Sequence, residues 1–467
     1  MTLLIGLLAI LALGFLCFQN WRRSIYLLFI IVIIEGAIRK WIFPQFSELI
    51  YFLKDFILVG IYINYYILSN SDKKYPIKNW GINSLTFITV AWCVFQAFNP
   101  SLGSPLVGIF GLRGYIFYIP LMWMIPSMFS SEKKLYNFLR LHTFFMIPVG
   151  ILGFLQFFSP ASSILNAYAN DEAISRATFG NTGAARITGT FSFLSGYSVY
   201  LIVCFGLLIT FLSLKQSRLW LWIFVSELFL VCVNSFMTGY RVVIFAAVLF
   251  LFLYFSAKLV TQPTNTLRLA KKFLFPSLVV AIAAFIWFRP AIDSFWFRVT
   301  STDDVSARIS GSLTQPFNFI QYKELDGFGT GATHQATPAL RKVLKLPAGE
   351  PIPVSFEPEP GKIALELGPI GFFLWYGLRI VLAIALWNGF LKLRRPFLRQ
   401  LALTACLIQI IHISNPLVFH HTFSIYFWFF SSFIWLLPKL EKIENRQEEQ
   451  GFLQQYNDYT YLNESPY

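Results

Sequence analysis

Charge is what this 467-residue sequence has least of. Only 13% of its residues are Asp, Glu, Lys or Arg, about half the usual quarter. A surface so poor in charge excludes an ordinary soluble domain. Cysteine and histidine are scarce too, five of each. Cys17, Cys93, Cys204, Cys232 and Cys406 all fall inside apolar runs and none makes a CxxC pair, so neither a disulfide framework nor a zinc site is expected. No His/Cys/Asp cluster has ligand spacing and no DxD-like pair stands at the external end of an early helix. A metal-assisted glycosyl transfer is therefore not indicated, and no cofactor is expected. There is no internal repeat, and nothing suggests the inverted halves of a transporter.

What is abundant is hydrocarbon: 56% of the residues are apolar and 18% aromatic. Apolar runs of about 18 residues or more recur along the chain, each a candidate transmembrane helix, since a helix satisfies its own backbone in lipid. The pattern predicts an all-α polytopic membrane protein of about thirteen spans. They lie near 3–19, 24–43, 49–69, 81–98, 106–129, 135–158, 189–213, 219–237, 240–259, 273–289, 363–390, 398–415 and 421–438. The first run, Leu3 to Phe18, lacks a basic start and a small-residue cleavage site, and reads as a helix rather than a signal peptide.

The net charge of +14 does not point to nucleic acid, because most of the Lys and Arg sit in short loops between spans. Every odd-numbered exit is basic: Arg22 and Arg23, Lys73 to Lys78, Lys133 and Lys134, Lys215 and Arg218, Lys258 to Lys272, Lys392 to Arg399, and Lys439 with Lys442. Basic loops stay cytoplasmic, so the N-terminus is expected outside and the C-terminus inside. Domain organisation follows: spans one to ten over 1–290, a large external loop over 291–361, spans eleven to thirteen over 362–440, and a polar, disordered cytoplasmic tail over 441–467. Within the large loop, Ser301-Thr302-Asp303-Asp304 reads as a helix N-terminus, and Thr337-Pro338 as the cap and first residue of a short amphipathic helix. Its apolar residues Leu340, Val343 and Leu344 would face either the outer leaflet or the loop's own body.

Charge inside a span is costly and needs a reason. Glu35 and Arg39, four residues apart, can pair on one helix face, and Lys54 and Asp55 suit an internal salt bridge. Arg113, Arg186 and Arg241 all fall at the external ends of spans. Guanidinium forks grip phosphate oxygens two at a time, so the three together would suit a diphosphate, although each can also cap a helix. Gly327, Gly329 and Gly331 allow a turn or a backbone nest for an anion. His334 follows as a polar loop residue or a ligand contact, and His412, His420 and His421 flank the last external loop. Glu357 and Glu359 precede a helix, where acids complement the dipole or serve as a general base.

These residues resemble the motifs of one family. Arg186 to Phe191 is similar to the "R-x-x-G-T-F" of the O-antigen polymerase and O-antigen ligase superfamily, and Thr238-Gly239-Tyr240-Arg241 to its "T-G-S-R" turn. Arg308 with Gly327 to Gly331 looks like its "R … G-x-G-x-G", and Glu366 to Gly371 like its "E-x-G-x-x-G". The resemblance covers roughly 186–371 and the helix layout. It implies a glycosyltransferase-C-like scaffold and a metal-independent, inverting transfer from an undecaprenyl-diphosphate-linked glycan. Arg186, Arg241 and Arg308 would hold the diphosphate. The family's "H-N" pair, nine residues before the Glu matched by Glu366, is replaced here by Glu357-Pro358, so the base is either Glu357 or His334.

The resulting expectation is an inner-membrane polysaccharide polymerase. Glu357 and Arg308 are its catalytic residues, and Arg113, Arg186, Arg241, His334 and Glu359 its substrate-binding ones. Its partners are the lipid-linked oligosaccharide, the bilayer and a candidate chain-length regulator, with no nucleic acid. The alternatives are a ligase transferring the glycan to a lipid A core or other acceptor and, in another class, a transporter or flippase.

Overall fold

The computed structural model describes residues 19–69, 80–169, 178–179, 183, 185–263, 304–323 and 325–463, with single residues between 286 and 296. The described chain is all helical. No strand forms among these residues, and one isolated bridge joins Thr178 to Ala185. Among the described residues, seven helical segments are long and apolar enough to cross a membrane: Pro105–Ser127, Glu132–Phe158, Leu194–Leu212, Arg218–Met237, Arg241–Thr261, Glu359–Lys392 and His421–Gly451, with the shorter apolar Pro396–Ile411 beside them. The expected spans near 3–19 and 273–289 fall almost wholly outside the described residues.

Fifteen helices carry the description. They are α1 (Trp21–Ala37), α2 (Leu53–Tyr62), α3 (Trp80–Ala97), α4 (Pro105–Ile116), α5 (Glu132–Phe144), α6 (Met146–Phe158), α7 (Leu194–Leu212) and α8 (Arg218–Met237). They continue with α9 (Arg241–Thr261), α10 (Asp304–Phe319), α11 (Thr337–Leu344), α12 (Glu359–Lys392), α13 (Pro396–Ile411), α14 (His421–Ser431) and α15 (Phe433–Asn463). Helix α7 is the axle: almost every residue from Tyr197 to Leu212 is buried. A helix apolar all round belongs in an interior. By contrast, Val242, Phe245, Val248, Leu249 and Phe252 of α9 stay exposed, a wall of hydrocarbon too continuous for water.

Several helices are broken where the sequence reads as continuous. Helix α1 loosens into a π-turn over Ile38–Ile42, and a second π-turn, Ile63–Leu68, ends α2. The sharpest break is in α12, where Gly368 takes φ +66, a region glycine enters at little cost. Arg379 Nη1 lies 3.3 Å from Glu359 Oε1, across twenty residues of the same helix. A straight helix would hold them about 30 Å apart, so α12 doubles back at Gly368. The Leu367 carbonyl freed by the break accepts the Trp92 indole N–H at 2.9 Å.

Two expectations need correction. The segment after 440 is helical, not disordered: α15 runs on to Asn463. It is rich in helix-forming Glu, Gln, Lys and Arg. Glu441 accepts the backbone N–H groups of Arg394 and Arg395, and Glu448 pairs with Arg395 at 2.9 Å. The short helix α11 is present, but Thr337 does not cap it. Its hydroxyl turns inward to the Gly331 carbonyl at 2.6 Å, and Ala336 holds the cap position. Of the expected helix N-terminus at 301–304, residues 301–303 lie outside the described residues; the helix α10 is described from Asp304 onward.

Candidate functional site

The glycine segment shows what the large loop does to the bundle. Gly327 to Thr333 is threaded between α3, α4 and the first turns of α12. Phe328 N–H donates to the Leu365 carbonyl at 2.7 Å and Gly329 N–H to that of Glu366 at 3.0 Å. The Thr330 hydroxyl donates to the Gly108 carbonyl at 2.9 Å. Gly111 on α4 lies directly against the Gly331 backbone, and a Cβ on either would collide. Gly329 and Gly331 have φ of +92 and +84. These N–H groups are spent on protein carbonyls, so the segment is a close-packing device and not an anion nest. Glu366, fully buried, secures it. Its Oε1 accepts the Thr333 N–H and hydroxyl at 2.9 and 2.8 Å, and its Oε2 accepts the Tyr115 hydroxyl at 2.8 Å.

Two residues before Tyr115, on the same helix, Arg113 stands at the centre of a charged belt. Its guanidinium pairs with Asp55 and rests on the rings of Tyr51 and Phe52. Asp55 also accepts the Tyr118 hydroxyl at 2.8 Å. The neighbouring Lys54 pairs with Glu35, which Arg39 approaches at 3.4 Å. The intrahelical pair Glu35–Arg39 is thus as the spacing predicted. Arg39 reaches on to Ser47 and Ser192 at 3.0 Å each, and Lys40 to Thr188 and to the Gly189 carbonyl at 2.7 Å.

Several groups in this belt lack partners that burial normally demands. Arg113 Nε and both ring nitrogens of His421 make no hydrogen bond among the described residues. The His421 ring packs near Tyr51 and Tyr118, with centroids at 5.4 and 5.7 Å. Lys362 sits over Phe419, 5.1 Å from the ring centroid, and has no ion pair among the described residues. His334 lies between Phe110 and Phe419. Burial first, then the charges of Arg113 and Lys362, push its pKa down to about 4, so the ring is neutral at pH 7. Its Nδ1 accepts the Ala336 N–H at 3.1 Å, which leaves the ring proton on Nε2. His334 is therefore a hydrogen-bond donor toward its surroundings, which counts against it as the general base.

The remaining predicted residues divide. Arg186 donates Nε to the Thr238 carbonyl at 3.0 Å and Nη2 to that of Gly239 at 3.2 Å. It ties the loop before α7 to the α8–α9 turn, next to half-buried Arg241 at the start of α9. Arg186 is thus bound to the turn that precedes Arg241. Glu359 is buried against Arg379 and accepts the Leu417 and Val418 N–H groups at 2.6 and 3.0 Å; it is a structural anchor and not an open ligand contact. Glu357 is exposed in the extended segment before α12. Arg308 falls within α10, and its side chain lies outside the described residues. Lys54, Lys362 and His421 were not singled out as ligand contacts. The one available signal was that a charge near an apolar run is expensive.

No protein-family model matches the chain, and no curated protein matches its sequence.

Proposed function

We propose that the Arg113 end of the bundle binds the diphosphate of a lipid-linked glycan, and that the protein is an inner-membrane polysaccharide polymerase. The observation that carries this is the convergence of donors without acceptors: Lys362, Arg113 Nε and the Nε2–H of neutral His334, set among aromatic rings. With the Asp55 carboxylate already engaged by Arg113 and Tyr118, spare donors remain, and they complement a group that only accepts, as phosphate oxygens do. Such donors stabilise charge that develops as a diphosphate leaves. In this reading one lipid-diphosphate-linked glycan donates its chain and a hydroxyl of another attacks the anomeric carbon with inversion. The C–O bond to the diphosphate breaks, and exposed Glu357 takes the hydroxyl proton.

The basic odd-numbered exits support about thirteen spans, with the N-terminus outside, the C-terminus in the cytoplasm and the site at the periplasmic face. A chain-length regulator would be a further partner. The resemblance to O-antigen polymerases and ligases points the same way. It fits the ligase alternative equally, because the acceptor alone differs.

The test is polymer formation on purified lipid-linked repeat units. Arg113→Lys keeps the charge but loses the guanidinium fork, and should lower the rate about a hundredfold, or ~3 kcal/mol. Glu357→Gln should abolish turnover while donor binding persists. Unchanged rates in both variants would remove the site from this face. In a strain lacking the gene, single repeat units on lipid would indicate a polymerase, and long unattached chains a ligase.

A further inference from the structure

A second polar constellation lies beside the first. A crevice runs between α7 and α9 and is closed by the α13–α14 connection; Ser195, Ser198, Val243, His412, His420 and Phe423 are among its lining. The two histidines have opposite tautomers, each fixed by the backbone. His412 Nδ1 lies 2.9 Å from the Ile408 carbonyl, which can only accept, so Nδ1 carries the proton and Nε2 is a lone pair. His420 Nδ1 accepts the Phe423 N–H at 3.1 Å as the cap of α14, so its Nε2 carries the proton. Neither Nε2 has a protein partner among the described residues.

Both rings are held firmly. The His412 ring packs at a tilt against Phe423, with centroids 4.8 Å apart, and its carbonyl accepts Arg379 Nη2 at 2.6 Å. Arg379 is itself anchored by Glu359. The crevice's two histidines therefore contribute one acceptor and one donor, beside the polar groups of Ser195, Ser198, Tyr240 and Asn415 on the same lining. The Ser198 hydroxyl gives its hydrogen to the Leu194 carbonyl at 2.7 Å, leaving an acceptor. A phosphate oxygen cannot use the lone pair of His412. An alcohol, which donates and accepts at once, satisfies both histidines.

We infer that this crevice is a carbohydrate-hydroxyl site: His412 accepts a hydrogen bond from a sugar O–H, and His420 donates one to a sugar oxygen. His420 also lies near Lys54 of the charged belt, so hydroxyl-binding and diphosphate-binding regions adjoin. The further assignment, that the sugar belongs to the acceptor glycan, rests on the function proposed above; the hydroxyl chemistry does not.

The full chain in lipid nanodiscs would be titrated with octyl β-D-glucoside and with tetraethylene glycol monooctyl ether, which shares the tail but has a mostly ether head. The wild type should favour the glucoside about tenfold, as expected for two extra neutral hydrogen bonds. His412→Phe should erase that preference. His412→Gln, which keeps an acceptor, should retain most of it and so separate chemistry from misfolding. Equal affinity of the wild type for the two amphiphiles, or an unchanged preference in His412→Phe and His420→Phe, would overturn the site. Stronger displacement of the glucoside by octyl phosphate than by unlabelled glucoside would make it an anion site and overturn it too. Arg113→Lys should leave the preference intact. Normal pyrophosphate binding by Arg113→Lys would count against the proposed function alone.

Discussion

Arg113 of α4 and Glu366 of α12, which bonds α4 through Tyr115, live under opposite rules. Around Glu366 the polar groups close on one another: both carboxylate oxygens are occupied, backbone N–H groups of Phe328, Gly329 and Thr330 are spent on carbonyls of α12 and α3, and the Thr330 hydroxyl on one of α4. Around Arg113 the pairs are incomplete. Asp55 takes one side of the guanidinium, while Arg113 Nε and both nitrogens of His421 have no protein partner among the described residues. Burying polar groups costs free energy unless they are bonded. The first region therefore contributes stability, and the second holds a cost that a ligand can offset. Conspicuous motif glycines mark the closed region, and the open one has no motif.

The comparison breaks most easily at Glu366. Glu366→Ala strands the Tyr115 hydroxyl and two Thr333 donors, each costing about 1–3 kcal/mol. The expected result is a large fall in melting temperature, or no folded protein, by size-exclusion thermal melts. A normal melt would show that the glycine segment needs no clamp. Lys362→Gln should do the reverse, leaving the melt unchanged while pyrophosphate binding weakens roughly tenfold, as for loss of one charge-assisted contact. A destabilised variant with normal binding would move Lys362 into the closed region.

His334 sharpens the contrast through pH. Its folded pKa, about 4, lies below the ordinary 6.5, so the unfolded chain binds the proton more readily. The stability this neutral ring confers is complete above pH 6.5 and is lost as pH falls toward 4. Melting temperature should drop over that window, and His334→Gln should flatten the drop; an equally steep profile in the variant would place the titration elsewhere. The smallest effect is expected at Arg186. Lys in its place cannot reach both the Thr238 and Gly239 carbonyls, so Arg186→Lys should cost about 1 kcal/mol in stability. Transfer should stay near normal. A hundredfold loss of activity would return Arg186 to the diphosphate, as the family resemblance implies.

The helical character, seven of the apolar membrane-length helices and the Glu35–Arg39 pair were legible, because apolar periodicity and i,i+4 spacing are local properties. What the sequence hides is long-range. Nothing near Glu359 announces that its partner is Arg379, because the reversal at Gly368 is a matter of a single backbone angle. Nor does shared depth along the chain reveal which partners Arg113 and Arg186 take. Arg186 binds the α8–α9 turn, and Arg113 faces Asp55. The histidines near the C-terminus looked alike in sequence, and only their backbone partners reveal that His412 and His420 present opposite atoms. The tail was misread because a low-hydropathy sequence resembles disorder until its Glu side chains find the α12–α13 connection.

The seat of Thr330 on Gly108 has a consequence for the order in which the chain is made. The two residues are 222 positions apart. At a synthesis rate of about 5–20 residues per second, α4 leaves the ribosome roughly 10–40 s before its covering segment exists. During that interval Gly108 already packs on the Ala97 backbone of α3, but Gly111 still lacks the Thr330–Gly331 backbone it is shaped for, and a side chain at Gly111 would be felt only after that distal segment is made. Biogenesis of this protein therefore contains one unavoidable late step, the insertion of a distal segment into a groove kept vacant since early synthesis. Pulse-labelled chains truncated before Gly327 should retain protease-sensitive α3–α4 contacts that become protected once residues through Glu366 have been made.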